Sequence, residues 1–108
     1  MTDKIVVLTT CDSDEQAARI ARRLVEQRLA ACVNIVPRAI SVYRWKDKIE
    51  TAKEWLLIVK SRRGLFPAIR SEIEKMHSYT APELIALPVV DGAEAYLGWM
   101  DDELTAAE

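Results

Sequence analysis

The chain has 108 residues, half of them apolar, and a formal net charge of −2. That length suits one compact domain spanning residues 1–108, and the slightly acidic balance gives no sign of a nucleic-acid partner, which would usually need a basic face. No apolar run approaches the roughly 20 residues of a membrane helix, and "MTDKIVVL" lacks the basic start and long apolar stretch of a secretory signal. The expectation is a cytoplasmic protein, with no membrane partner, whose cysteines stay reduced.

Ile5-Val6-Val7-Leu8 is a β-rich run and the first predicted strand. "CDSDEQ" then reads as a helix start. Ser13 with Gln16 three residues on fits a capping box, and Asp14 and Glu15 suit the positive end of the helix dipole. Ala17, Ile20, Ala21 and Leu24 recur at helical spacing, with Leu29 just beyond, while Arg19, Arg22, Arg23 and Glu26 fall on the other face.

"AACVNIVPRAISVYRW" is rich in β-branched and aromatic residues and predicts an extended arm; Pro37 marks a bulge or an edge, because it cannot donate to a ladder. "KDK" predicts a turn and "IETAKEWLLIVK" the returning arm. A helix follows from "LFPAIRSEIEKMH", with Pro67 tolerated in the first turn and Phe66, Ile69, Ile73 and Met76 as its buried stripe. Leu84 to Leu87 predicts the last strand, and a short helix after Asp91-Gly92 turns Ala93, Leu97, Met100 and Leu104 to one side.

The order β-α-β-β-α-β, plus a terminal helix, predicts an α+β ferredoxin-like sandwich. Its hairpin is too long for the body. Ala31 to Trp45 exceeds the usual strand of about 5–6 residues; at about 3.3 Å per residue it could span roughly 50 Å, against a radius of gyration of about 13 Å for a domain this size. A projecting hairpin carrying Val42, Tyr43, Trp45, Ile49 and Trp55 would expose apolar surface and open strand edges, which soluble proteins cover with a partner. The alternative is that Pro37 bends the arms back onto their own sheet.

"RLAACVNIVP", "SVYRWKDKIE", "HSYTAPELIALPV" and "YLGWM" resemble, in order, the signature blocks of the CutA family of divalent-ion tolerance proteins, from Ile5 to about Met100. The resemblance implies a homotrimer with hairpins woven between subunits, in which Tyr43, Trp45 and Trp55 are subunit contacts. It also implies binding of copper(II) or another divalent cation, and an architecture similar to the trimeric PII-type signalling proteins. Two positions depart from the family pattern: Ser78 stands where proline usually follows the histidine, and Asp12 where proline usually follows the first cysteine.

Copper favours imidazole and thiolate donors, so Cys11, Cys32 and His77, the chain's only histidine, are the candidate ligands. The predicted topology brings Cys11 and His77 to one end of the sheet and leaves Cys32 at the other, roughly 20 Å away. That excludes an intrachain disulfide, which needs Cα atoms within about 7 Å, and leaves open a metal site built on Cys11 and His77, with Asp12, a neighbouring subunit or water filling the other positions. Each residue also has a structural role open to it. Cys32 suits a small buried core thiol. Cys11 could be a thiolate favoured by the helix N-terminus or inert packing, and His77 could complement a helix C-terminus. Tyr79 and Glu83 suit loop anchors, and Trp99 a packing residue of the last helix.

With one histidine, no Ser-His-Asp spacing, no Gly-rich phosphate loop and no paired acids, no catalytic constellation is visible. The function that the resemblance implies is a non-enzymatic, trimeric divalent-cation binder linked to metal tolerance. The alternative is a PII-like sensor that takes a small anionic ligand in the inter-subunit cleft, with Arg62 and Arg63 contributing.

Overall fold

In the computed structural model, residues 2–106 are described. The elements run β1 (Lys4–Cys11), α1 (Asp14–Glu26), β2 (Cys32–Trp45), β3 (Lys48–Arg62), a short 3-10 turn, α2 (Phe66–Met76), β4 (Ile85–Pro88) and α3 (Glu94–Glu103). The strands form one antiparallel sheet in the order β2-β3-β1-β4, the ferredoxin-like arrangement, with α1 and α2 on one face.

Strand alternation decides what that face buries. Ile5, Val7 and Cys11 of β1 lie opposite Ser61, Val59 and Trp55 of β3 in the ladder. Together with Leu57 they pack against Ile20 and Leu24 of α1 and Ile69 and Ile73 of α2. Fully burying each of these aliphatic side chains contributes about 1.5–3 kcal/mol. The even-numbered positions, Val6, Leu8, Leu56 and Ile58, face away from the helices.

Ser13 caps α1 as the sequence predicts: its Oγ accepts from the Gln16 N–H at 3.1 Å. The reciprocal half of the capping box is absent. Gln16 turns its amide across the molecule, donating to the Met76 carbonyl at 3.3 Å and accepting from the Ser78 hydroxyl at 3.3 Å. The start of α1 is thereby tied to the end of α2, and this joint frames the site described below.

The hairpin projects. β1 ends where Cys11 pairs with Trp55, so from Lys48 to Glu54 β3 has only β2 beside it. The molecule is correspondingly elongated, 44 × 25 × 23 Å. Pro37 lies on an edge strand at a bulge between Val36 and Ala39, where Arg38 takes φ 63°. The bulge re-aims the outer arm but does not fold it back. Ile40, Val42 and Ile49 are left 62%, 66% and 62% exposed.

The arms are joined at Lys46-Asp47, both left-handed (φ 51° and 66°), as a two-residue type I′ turn requires. Lysine does not favour that region, and aspartate tolerates it less readily than glycine. Replacing the pair with Asn-Gly should stabilise the fold by about 1 kcal/mol, read as a higher urea midpoint with an unchanged slope.

Three expectations change. Cys32 is not in the core: it pairs with Lys60, which puts it on the helix-free face, and it is only half-buried. Ala93 is exposed, because it forms the extended N-cap of α3 and precedes the helical stripe. Trp99 does not pack the last helix onto the body; it stands beside Tyr96 on the outer face of α3, their ring centroids 5.5 Å apart. Met100 and Leu104 do that packing. Asp101 adds an ion pair at 2.8 Å to the buried Lys4, a contact that also links α3 to Arg62 at 3.1 Å.

Candidate functional site

Helix α2 ends at His77, whose N–H closes the last turn on the Ile73 carbonyl at 2.8 Å. Its extended backbone, φ −78° and ψ 141°, sends the chain out of the helix and across the end of β1. The buried ring then has a backbone partner on each nitrogen. Nε2 lies 2.5 Å from the Thr10 carbonyl, and Nδ1 accepts from the Tyr79 N–H at 3.0 Å. The second contact requires a lone pair on Nδ1, so the proton sits on Nε2 and is donated to Thr10.

Cys11 is at the same end of the sheet, as the predicted topology requires, and is completely buried. Its Sγ lies 4.0 Å from the Ser13 carbonyl and 4.0 Å from the Trp55 carbonyl. Burial, and then the negative charge of Asp12, push the thiol up to about 11. At neutral pH it is a protonated thiol, so strand-end packing prevails over activation by the helix N-terminus. Cys32 is remote: its ladder partner Lys60 lies five positions along β3 from Trp55, the partner of Cys11, roughly 16 Å of strand. Both cysteines are free.

A raised thiol pKa stabilises the fold below the ordinary value of 9.0, and that contribution disappears as the pH climbs from 9.0 through about 11. At pH 8, iodoacetamide should modify Cys32 and leave Cys11 untouched until the protein unfolds, which intact-mass analysis along a urea series would read.

The loop beyond His77 is anchored by Tyr79. Its ring lies against the imidazole, centroids 4.6 Å apart, and its hydroxyl donates to Glu54 Oε2 at 2.7 Å. Burial, and then the bond to Glu54, raise the Tyr79 hydroxyl well above its ordinary value. Glu54 itself is only 8% exposed. Sequence reasoning passed it over, although a signal was there: alternation from Leu57 and Trp55 puts Glu54 on the helix-free face, an acid directly before the apolar run Trp55 to Val59.

Between the inner side of the hairpin and this loop lies a cleft of about 790 Å³, lined among others by Thr10, Tyr43, Trp45, Glu54, Tyr79 and Glu83. Among the described residues, no Lys or Arg lines it. Tyr43 and Trp45 are largely exposed, 43% and 61%, whereas Trp55 is half-buried against the core of its own chain. Cys11 and His77 are thus neighbours at one end but do not form a cation cage by themselves. Among the described residues, no group of three or more His, Cys, Asp or Glu side chains is placed to hold a metal ion. Any tight site for a divalent ion would have to draw further donors from water or a second copy.

Comparison with known proteins gives one answer throughout. The chain is 47% identical over 95 residues to the divalent-cation tolerance protein CutA of Thermus thermophilus, covering 88% of this chain and 92% of that one. It is 45% identical over 91 residues to human protein CutA, of which it spans about half (51%) against 84% of its own length. The crystal structure of CutA from Xylella fastidiosa superposes with a TM-score of 0.93 at 38% identity, over 96% of this chain and all of that one (100%). For the Thermus thermophilus protein the TM-score is 0.92 at 44% identity, with 94% and 99% covered. The family model described as CutA1 divalent ion tolerance protein matches residues 5–103, and the chain belongs to that family.

Proposed function

We propose that this protein is a non-enzymatic homotrimer that binds divalent cations, copper(II) among them, at the clefts beneath its hairpins. The observation that carries the proposal is the hairpin itself: beyond β1 it presents exposed Ile40, Val42, Trp45 and Ile49 with an unpaired strand edge, a surface that calls for copies of the same chain. Such an assembly would close each cleft with a second subunit and bring in the donors that one chain lacks. The charge of the lining favours a cation over the small anion a PII-like sensor would take, since among the described residues it contains Glu54 and Glu83 and no basic side chain.

Cys11 and His77 are the soft donors nearest that site. For them to serve, the ion would have to displace the Tyr79 N–H from Nδ1 of His77 and the proton from Cys11. The same hydrogen bonds keep His77 from acting as a general base toward Cys11, which supports a binding role rather than a catalytic one.

Sedimentation equilibrium should give three times the chain mass. Copper(II) titration should show binding in the micromolar range, weakened about tenfold or more in a Cys11→Ser, His77→Ala variant whose fold is checked by circular dichroism. Unchanged affinity in the variant would move the site elsewhere in the cleft. A monomer that takes up no copper would end the proposal.

A further inference from the structure

Glu54 is a buried carboxylate with no countercharge. It makes no ion pair with any described residue, and only one of its oxygens, Oε2, accepts a side-chain hydrogen bond, from the neutral Tyr79 hydroxyl. Taking a carboxylate out of water costs several kcal/mol unless a positive group compensates it. The wall that buries Glu54 also opens onto the cleft, so the missing charge has a way in.

We infer that Glu54 holds a monovalent organic cation, an alkylammonium or guanidinium group, at the inner end of this cleft. A hard divalent ion would want about six oxygen ligands, and no cluster of three or more acidic or other metal-binding side chains exists here among the described residues. The surroundings match an amine better. Besides the carboxylates Glu54 and Glu83 the lining is aromatic, aliphatic and hydroxyl-bearing, with Tyr79 beside Glu54 and Val42, Tyr43 and Trp45 further along the hairpin. An ammonium head would pair with Glu54 while its alkyl stem lies along that wall, within reach of ring faces that attract cations. The cation comes either from a free amine or from a Lys or Arg side chain of a second copy. The inference rests on Glu54 and the cleft and does not require the divalent-cation proposal.

Isothermal titration with n-pentylammonium and with 1-pentanol, on wild type and Glu54→Gln, tests the charge requirement. Pentylammonium should bind wild type at least tenfold more tightly than pentanol, and Glu54→Gln should remove the difference. Tyr79→Phe, which deprives Glu54 of its one side-chain donor, should keep or tighten amine binding and guards against a Glu54→Gln variant that fails to fold. If wild type binds no amine but Glu54→Gln weakens self-association in sedimentation, the cation is a side chain of a second copy, and the same chemistry holds. Equal binding of amine and alcohol overturns the inference, as does a protein that binds no amine and whose Glu54→Gln variant associates normally. Copper(II) titration of Glu54→Gln separates the two proposals. Copper affinity lost while amine affinity stays would make the metal the partner of Glu54 and overturn this inference alone.

Discussion

Replacing Val42 and Ile49 with aspartate should convert the protein into a folded monomer. The two residues lie on one face of the projecting arm, since Val42 pairs with Thr51 and Ile49 with Arg44 across the hairpin. They are 66% and 62% exposed and do not belong to the core, so the chain loses little on its own account. Across an assembly interface each would bury apolar surface worth about 1.5–3 kcal/mol, and aspartate would instead bring an unpaired charge into it. The two losses together amount to roughly 3–6 kcal/mol per contact, a rise in dissociation constant of about a hundredfold or more. Sedimentation velocity at micromolar concentration should show a single slow species while circular dichroism keeps the wild-type spectrum. Wild-type assembly in the double variant would show that the hairpin is not where subunits meet.

The length of that hairpin could be read from composition, because a run such as "AISVYRW" has no helical period and Pro37 is the only breaker between Ala31 and Trp45. Helix α1 was equally legible, since its cap and stripe are local. What could not be read was anything that depends on parity or on distant partners. Cys32 was expected inside because "AACV" is apolar, but a strand sends alternate residues to opposite faces, and the ladder gives the helix side to Val33. Trp99 was expected to anchor α3, yet Met100 next to it takes the inward position and turns the indole out. The turn at Lys46-Asp47 has no glycine to announce its left-handed backbone.

The candidate site shows the same division. That Cys11 and His77 share an end follows from counting strands and helices. That both nitrogens of His77 are taken by Thr10 and Tyr79 does not, because those contacts depend on how a loop crosses β1. The Glu54–Tyr79 bond joins residues 25 apart in the chain, with no pattern linking them.

His77→Ala should be the most damaging single change at the site, and should be so in metal-free protein. The imidazole serves a buried acceptor on β1 and a donor at the start of the loop. Leaving a buried polar group without its partner costs about 1–3 kcal/mol, and the imidazole volume is lost as well, so about 3 kcal/mol should go from the unfolding free energy. Against a total of about 5–15 kcal/mol that is a large share. Tyr79→Phe removes only the bond to Glu54, a charge-assisted one worth about 1.5–3 kcal/mol at most, and should cost less because the cleft lets water replace it. Urea denaturation with a chelator present orders the two. The ranking separates two roles for His77. A residue kept chiefly as a metal ligand would be dispensable without the ion, and its alanine variant would unfold like wild type in chelator and differ only when metal is added. A residue that fastens α2 and its loop to β1 destabilises the fold whether or not metal is present. The bonds to Thr10 and Tyr79 predict the second outcome, in which any cation that recruits His77 must first compete with the fold for it.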